Sequence, residues 1–184
     1  MHLALVQAYA PELNKRCRPH LKPTNKSYRT DEYIKVKGED EHLYRAVDST
    51  GQTIEFLLTA KRDAESAKRF FRNAIKNNGT PRVVTLDAYA ASHRAIAELK
   101  SAGTVARRVR IRSSKYLNNV VEQDHRRIKQ RIRPMLGFKR FDTAAVTITG
   151  IELVQKIKKD QFKIGKLSGR PGTAPEIWAA VLAA

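Results

Sequence analysis

Cysteine is nearly absent: Cys17 is the only one in 184 residues. A single thiol excludes a disulfide framework and any zinc site built on clustered cysteines, and it suits a reducing compartment. Long apolar runs are missing as well. No stretch reaches the roughly 18 to 20 residues needed to cross a bilayer. The first residues, MHLALVQAYAPEL, carry no basic lead and meet Pro11 and Glu12 too early for a secretory signal. Acidic residues are scarce, 18 against 36 Lys and Arg, so the net charge is +18 and the sequence pI about 10.3. That imbalance costs self-repulsion in a compact chain, and its usual counterweight is a polyanion.

What is present suits a folded domain. Hydrophobic residues make up 41% and the mean hydropathy is -0.51, values that exclude wholesale disorder. A chain of this length buries roughly 70% of its unfolded surface, enough for a core without metal or disulfides. Composition therefore points to a cytoplasmic, nucleic-acid-associated protein with no membrane partner.

Residues 1–30 hold Pro11, Pro19 and Pro23 and the basic run Lys15-Arg16-Cys17-Arg18, which reads as a short helical piece followed by an extended arm. Three strand-like runs follow: YRTDEYIKVK, HLYRAVD and TIEFLLTAK, the last two joined by the turn cluster Asp48-Ser49-Thr50-Gly51. Asp63 then sits where an N-cap belongs, ahead of a helix over 63–77 whose Ala67, Phe71, Ala74 and Ile75 recur at helical spacing. PRVVTLD is a short buried strand ending at Asp87. A helix over about 91–101 closes at Gly103, VARRVRIR is another strand, 117–133 is a regular helix stopped before Pro134, and a last helix starts near residue 142. No internal repeat and no low-complexity block occurs.

The order βββαβαβα, early strands antiparallel and later ones parallel, makes an α/β layout with a mixed sheet and flanking helices. It is the order of the ribonuclease-H-like fold. A phosphoryl-transfer enzyme that cuts DNA commonly holds divalent metals with a few carboxylates at strand ends or on a helix against the sheet. Three residues answer that description: Asp31 in the first strand, Asp87 at the end of PRVVTLD, and Glu122 early in the regular helix. On that helix Glu122, Arg126, Lys129 and Arg133 step by four, three and four and share one face, while Leu117, Val121, Ile128 and Ile132 form an apolar stripe. A carboxylate followed by three cations suits a metal with phosphates beside it; the bland alternative is a solvated face with internal ion pairs.

The stretches YAPELNKRCRPHLKPTN, YIKVKG, LYRAVDSTGQTIEFLLTAKRD, SAKRFF, DAYAASHRAIAELK, KYLNNVVEQDHRRIK and RPMLGF together resemble the bacterial DDE transposases of insertion-sequence family six, from about residue 6 to about 160. Asp87 and Glu122 have 34 residues between them, the family's spacing, and Lys129 fills the basic position seven residues after the Glu. The resemblance implies a catalytic domain over 28–160, preceded by a remnant of a DNA-binding segment and basic arm (1–27) and followed by a tail (161–184). It implies that Asp31, Asp87 and Glu122 bind two Mg²⁺ ions, with Mn²⁺ as a substitute, for DNA strand cleavage and strand transfer. Lys129 would contact DNA, with Tyr116, Asn118 and Asn119 positioning its helix; Arg126 and Arg133 join from face geometry alone. The partners implied are double-stranded DNA, both element ends and target, and further copies of the chain, in the bacterial nucleoid.

Two departures from the family pattern qualify that expectation. The helix-turn-helix segment that precedes the matching residues in the family has no counterpart before Met1. The family motif Asp-Glu-Thr-Tyr-Ile-Lys-Val is one residue shorter here, Asp31-Glu32-Tyr33-Ile34-Lys35-Val36, and Asp40 replaces an aromatic residue. Strand side chains alternate, so the loss gives Glu32 the parity of the family's Asp unless a bulge compensates. The alternative function is thus a truncated, non-catalytic DNA-binding remnant. A ribonuclease or repair nuclease on the same fold is disfavoured by the 34-residue spacing. His93 reads as a helix-surface residue, His125 as a surface or phosphate-contacting one, Cys17 as an incidental thiol, Trp178 as a packing anchor or part of a tail, and Gly165, Lys166 and Gly169 do not make a phosphate-binding loop.

Overall fold

The computed structural model describes residues 3–36, 39–87, 89–113 and 138–163, with residues 126, 130, 176, 179 and 183; side chains are described for 7–30 and from 42 onward. The chain divides into two compact units, residues 24–137 and residues 1–23 with 138–184.

The larger unit is built on one five-stranded sheet. Its strands are β1 (Ser27–Val36), β2 (Glu39–Asp48), β3 (Thr53–Thr59), β4 (Val83–Leu86) and β5 (Arg110–Ser113), in spatial order β3-β2-β1-β4-β5. The first three pair antiparallel, and β4 and β5 add in parallel beside β1. The mixed sheet expected from the element order is therefore present. Asp48 makes the β2–β3 turn by accepting hydrogen bonds from the amides of Thr50 and Gln52, at 2.9 and 3.0 Å.

Helices α2 (Ala64–Asn78) and α3 (Ala90–Ser101) supply the crossovers. Asp63 caps α2, its carboxylate accepting from the Ser66 amide at 2.8 Å. Gly79 ends it with φ +80, its N–H reaching the Ile75 carbonyl at 2.7 Å. A Cβ there would meet only the movable end of Lys26, so it is the positive φ that calls for glycine. The apolar faces of α2 and α3 cover one side of the sheet. Ala67, Phe70, Phe71 and Ala74 meet Ala95, Ile96 and Leu99, over Tyr28, Tyr44, Ala46, Val84 and Leu86. Phe70 stacks on Tyr44 with ring centroids 5.6 Å apart.

Two local readings need correction. The segment 105–109 is a turn, not strand: Val105 and Val109 are buried, but Arg107, of the same strand parity, is exposed, and turn hydrogen bonds run from Val105 N to Leu99 O and from Val109 N to Ala106 O. In the smaller unit, α1 (Leu3–Cys17) runs straight through Pro11, where proline punctuation suggested only a short helical piece. An interior proline costs about 3 kcal/mol. Tertiary packing offsets it, because α1 lies along α4 (Phe141–Lys158), where Gln7 donates to the Thr143 carbonyl and the Thr147 hydroxyl at 2.9 and 2.7 Å. Cys17, Leu153, Ile157 and Phe162 form that unit's core.

Candidate active site at the strand ends

Strand pairing decides which acidic residues share a face. In β1 and β4, Tyr28 pairs with Val84 and Arg29 with Thr85. Tyr28, Val84 and Leu86 belong to the helix-covered core, so Arg29 and Thr85 lie on the opposite face. The β1–β4 pairs end at Arg29 and Thr85, and the same parity continued by two residues leads to position 31 on β1 and to position 87 just past the end of β4. The β1–β2 pairing agrees: Asp31 stands opposite Arg45, whereas Glu32 stands opposite Tyr44 of the helix-covered core.

Beyond Glu32 the register shifts. Ile34 pairs with Glu41, so Tyr33 alone spans what His42 and Leu43 span on β2. The irregularity falls where β1 is one residue short of the family motif, and the offset is taken up between Glu32 and Ile34, past position 31.

Asp87 is held from several sides at the end of β4. Its carboxylate accepts from the Tyr89 amide at 3.3 Å, and the Arg62 guanidinium stands 3.7 Å away. Arg62 is itself fixed, its guanidinium 3.6 Å over the Tyr89 ring, whose hydroxyl donates to the Arg62 carbonyl at 2.8 Å. His93 Nε2 lies 2.9 Å from the Asp87 carbonyl. A carbonyl only accepts, so that nitrogen carries the proton, and the half-buried ring ties the start of α3 to the strand end. The side chains of Asp87 and Arg62 are both 30% exposed, open enough to meet a ligand.

His93 is thus part of the strand-end structure and not the plain surface residue its helical setting suggested. Arg62 was also missed. The Lys61-Arg62-Asp63 string reads as a helix start, and nothing local reveals that the chain returns Arg62 to Asp87. Asp31 is described in the backbone alone. Of the helix residues, Arg126 is helical and exposed. Glu122, Tyr116, Asn118, Asn119, Lys129 and Arg133 lie outside the described residues, as do His125, Gly165, Lys166, Gly169 and Trp178. Cys17 is buried, and burial pushes its thiol pKa up despite the opposing charge of Lys156, so it is no activated nucleophile.

Sheet order and crossover helices define a ribonuclease-H-like fold. Solved structures share the fold. The catalytic core of HTLV-2 integrase, a magnesium complex in trimeric form, superposes with a TM-score of 0.54 at 17% identity, covering 80% of this chain and 93% of that one. The catalytic core of BIV integrase gives 0.52 at 18%, covering 84% and 94%. In sequence, residues 25–161 match the model of the DDE domain of IS240-type transposases. Over 155 residues the chain is 37% identical to the Staphylococcus aureus transposases for insertion sequence-like element IS431mec and for insertion sequence element IS257 in transposon Tn4003, covering 84% of this chain and 67% of theirs. This chain belongs to the DDE transposases of insertion sequences, in family six.

Proposed function

We propose that the chain is the catalytic domain of an insertion-sequence transposase, cutting DNA and joining its strands with divalent metal held by Asp31, Asp87 and Glu122. The observation that supports this reading is the β1–β4 register, Arg29 beside Thr85, whose continuation by two residues along both chains leads to Asp31 and Asp87 despite the shortened motif. Carboxylate oxygens suit Mg²⁺, which binds through one or two carboxylates while keeping water and phosphate oxygens. The donor set therefore fits the metal, two Mg²⁺ ions in the full reading. Bound there, the metals supply Lewis-acid stabilisation of the attacking and leaving oxygens of an in-line displacement.

This chain's own residues do the rest. The Tyr89 amide and the Arg62 guanidinium orient the Asp87 carboxylate, and His93 anchors the backbone beneath it. In this reading Arg126, Lys129 and Arg133, four, seven and eleven residues after Glu122 in sequence, hold the DNA phosphates, with Tyr116, Asn118 and Asn119 in positioning roles. Double-stranded DNA is the substrate, both element end and target, and joining two ends calls for more than one copy of the chain. The HTLV-2 integrase catalytic core, of similar fold, occurs in dimeric and trimeric forms, in line with that requirement.

The test is nicking of supercoiled plasmid with Mg²⁺ or Mn²⁺ by the chain, Asp87→Ala and Glu122→Ala. Metal-dependent nicking that disappears in both variants is expected. Salt-sensitive DNA binding with no nicking under either metal would instead establish the non-catalytic reading.

A further inference from the structure

Between Glu98 and Glu122 the chain has no acidic residue but six cations, four of them arginines at 107, 108, 110 and 112. The fold collects these four at one border of the sheet. Arg107 and Arg108 lie in the turn before β5, and Arg110 and Arg112 lie in β5, the outermost strand beside β4. All four are exposed, and among the described residues none has a carboxylate partner.

Cations elsewhere in the same unit behave differently. On the helix-covered side, Lys68 bridges Glu65 and Glu98 at 3.1 and 2.6 Å, Arg72 pairs with Glu65 at 3.2 Å, and Arg94 with Glu98 at 2.7 Å. There the charges neutralise one another. At the β5 border they add.

Register sets the direction of the border. Ile111 packs on the helix-covered core, so Arg110 and Arg112 occupy the other face, the face of positions 31 and 87. Arg112 pairs with Thr85, two residues before Asp87. Strand spacing and rise put its backbone about 8 Å from that of Asp87, with Arg110 about 7 Å further back. The arginines thus form a line that ends beside the strand-end carboxylates. An unpaired line of exposed guanidinium groups, rigid on a strand, matches a run of phosphates rather than one compact anion.

We infer that the β5 border is a backbone track for duplex DNA, holding the segment that flanks the phosphate under attack. The inference rests on the transposase reading and assigns its DNA contact to a surface outside the Glu122 helix. Contacts of this kind carry no base information, so they position any sequence equally.

The test is the salt dependence of binding to a labelled random-sequence duplex, measured on the full chain, Arg110→Gln/Arg112→Gln, and Arg72→Gln/Arg94→Gln. Each phosphate contact contributes about 0.9 to the slope of log K against log salt, so the β5 variant should lose about 1.8. The helix-side variant should keep the parent slope. An unchanged slope in the β5 variant, with or without aggregation, would mean that the arginines only guard an exposed sheet edge, and would overturn the track. An equal loss in both variants would overturn it too, since the effect would then be net charge alone. Absence of any salt-sensitive binding by the parent chain is a separate result, one that overturns the transposase reading together with the track.

Discussion

The two sides of the sheet divide structure from chemistry. On the side covered by α2 and α3, aromatic and aliphatic side chains interlock, and the charges around them are neutralised in pairs. The other side is buried along β2, where Leu43, Arg45 and Val47 are inaccessible, but at its strand ends and β5 border stand positions 31 and 87, the Arg62 guanidinium near a partly exposed carboxylate, and the exposed arginines 107, 108, 110 and 112, which have no carboxylate partner among the described residues. Exposed ion pairs contribute little to stability, and an unpaired cluster of like charge costs some. A sheet whose centre is buried on both faces tolerates that cost at its border.

Substitutions on the two sides should therefore fail in different ways. The largest effect on stability belongs to the packed side. Phe70→Ala empties a fully buried site and removes the stacking on Tyr44, and should cost about 3 to 5 kcal/mol in a denaturant titration. Gly79→Ala, which puts a side chain at φ +80, should cost more than about 1 kcal/mol in the same titration. A Gly79→Ala chain as stable as the parent would mean that α2 does not end as described.

At the strand ends, Arg62→Ala should leave the unfolding midpoint nearly unchanged and still reduce nicking, by about 10-fold or more, because misplacing a reacting group costs rate steeply. A variant that loses stability and activity in proportion would erase the distinction between the two sides. The smallest effect concerns acid. Asp63, Glu65 and Glu98 have pKa values held below their ordinary ones, Asp63 chiefly by the Ser66 amide and the glutamates chiefly by hydrogen bonds from Lys68. A lowered folded-state pKa adds stability above the unfolded value that is lost as pH falls through the folded one. Thermal midpoints should thus decline modestly below about pH 4, the ordinary carboxylate range. Asp63→Asn, which keeps a cap but does not titrate, should decline less.

Much of the fold was legible because its signals are local. Asp63 and Gly79 bracket α2, the Asp48 turn joins β2 to β3, and alternating apolar residues mark the strands. Parity along β1 also showed that Asp31 and Glu32 could not both serve. What was not legible depends on distant partners. The helix through Pro11 rests on packing against α4, and the turn at 105–109 rests on two valines closing the core. Arg62 and His93 gain their places at Asp87 only when β4 comes to lie beside the ends of two crossover segments. The shift between Glu32 and Ile34 is likewise a property of two strands and not of one.

In the proposed metal site, position 31, and not 32, stands with Asp87 at the strand ends. Titrating Mn²⁺ into the full chain, with bound metal counted by electron paramagnetic resonance, tests it directly when Asp31→Asn is set against Glu32→Gln. The register predicts that Asp31→Asn weakens Mn²⁺ binding at least 10-fold, as Asp87→Asn should, while Glu32→Gln binds like the parent. Loss of binding in Glu32→Gln with Asp31→Asn unaffected would contradict it.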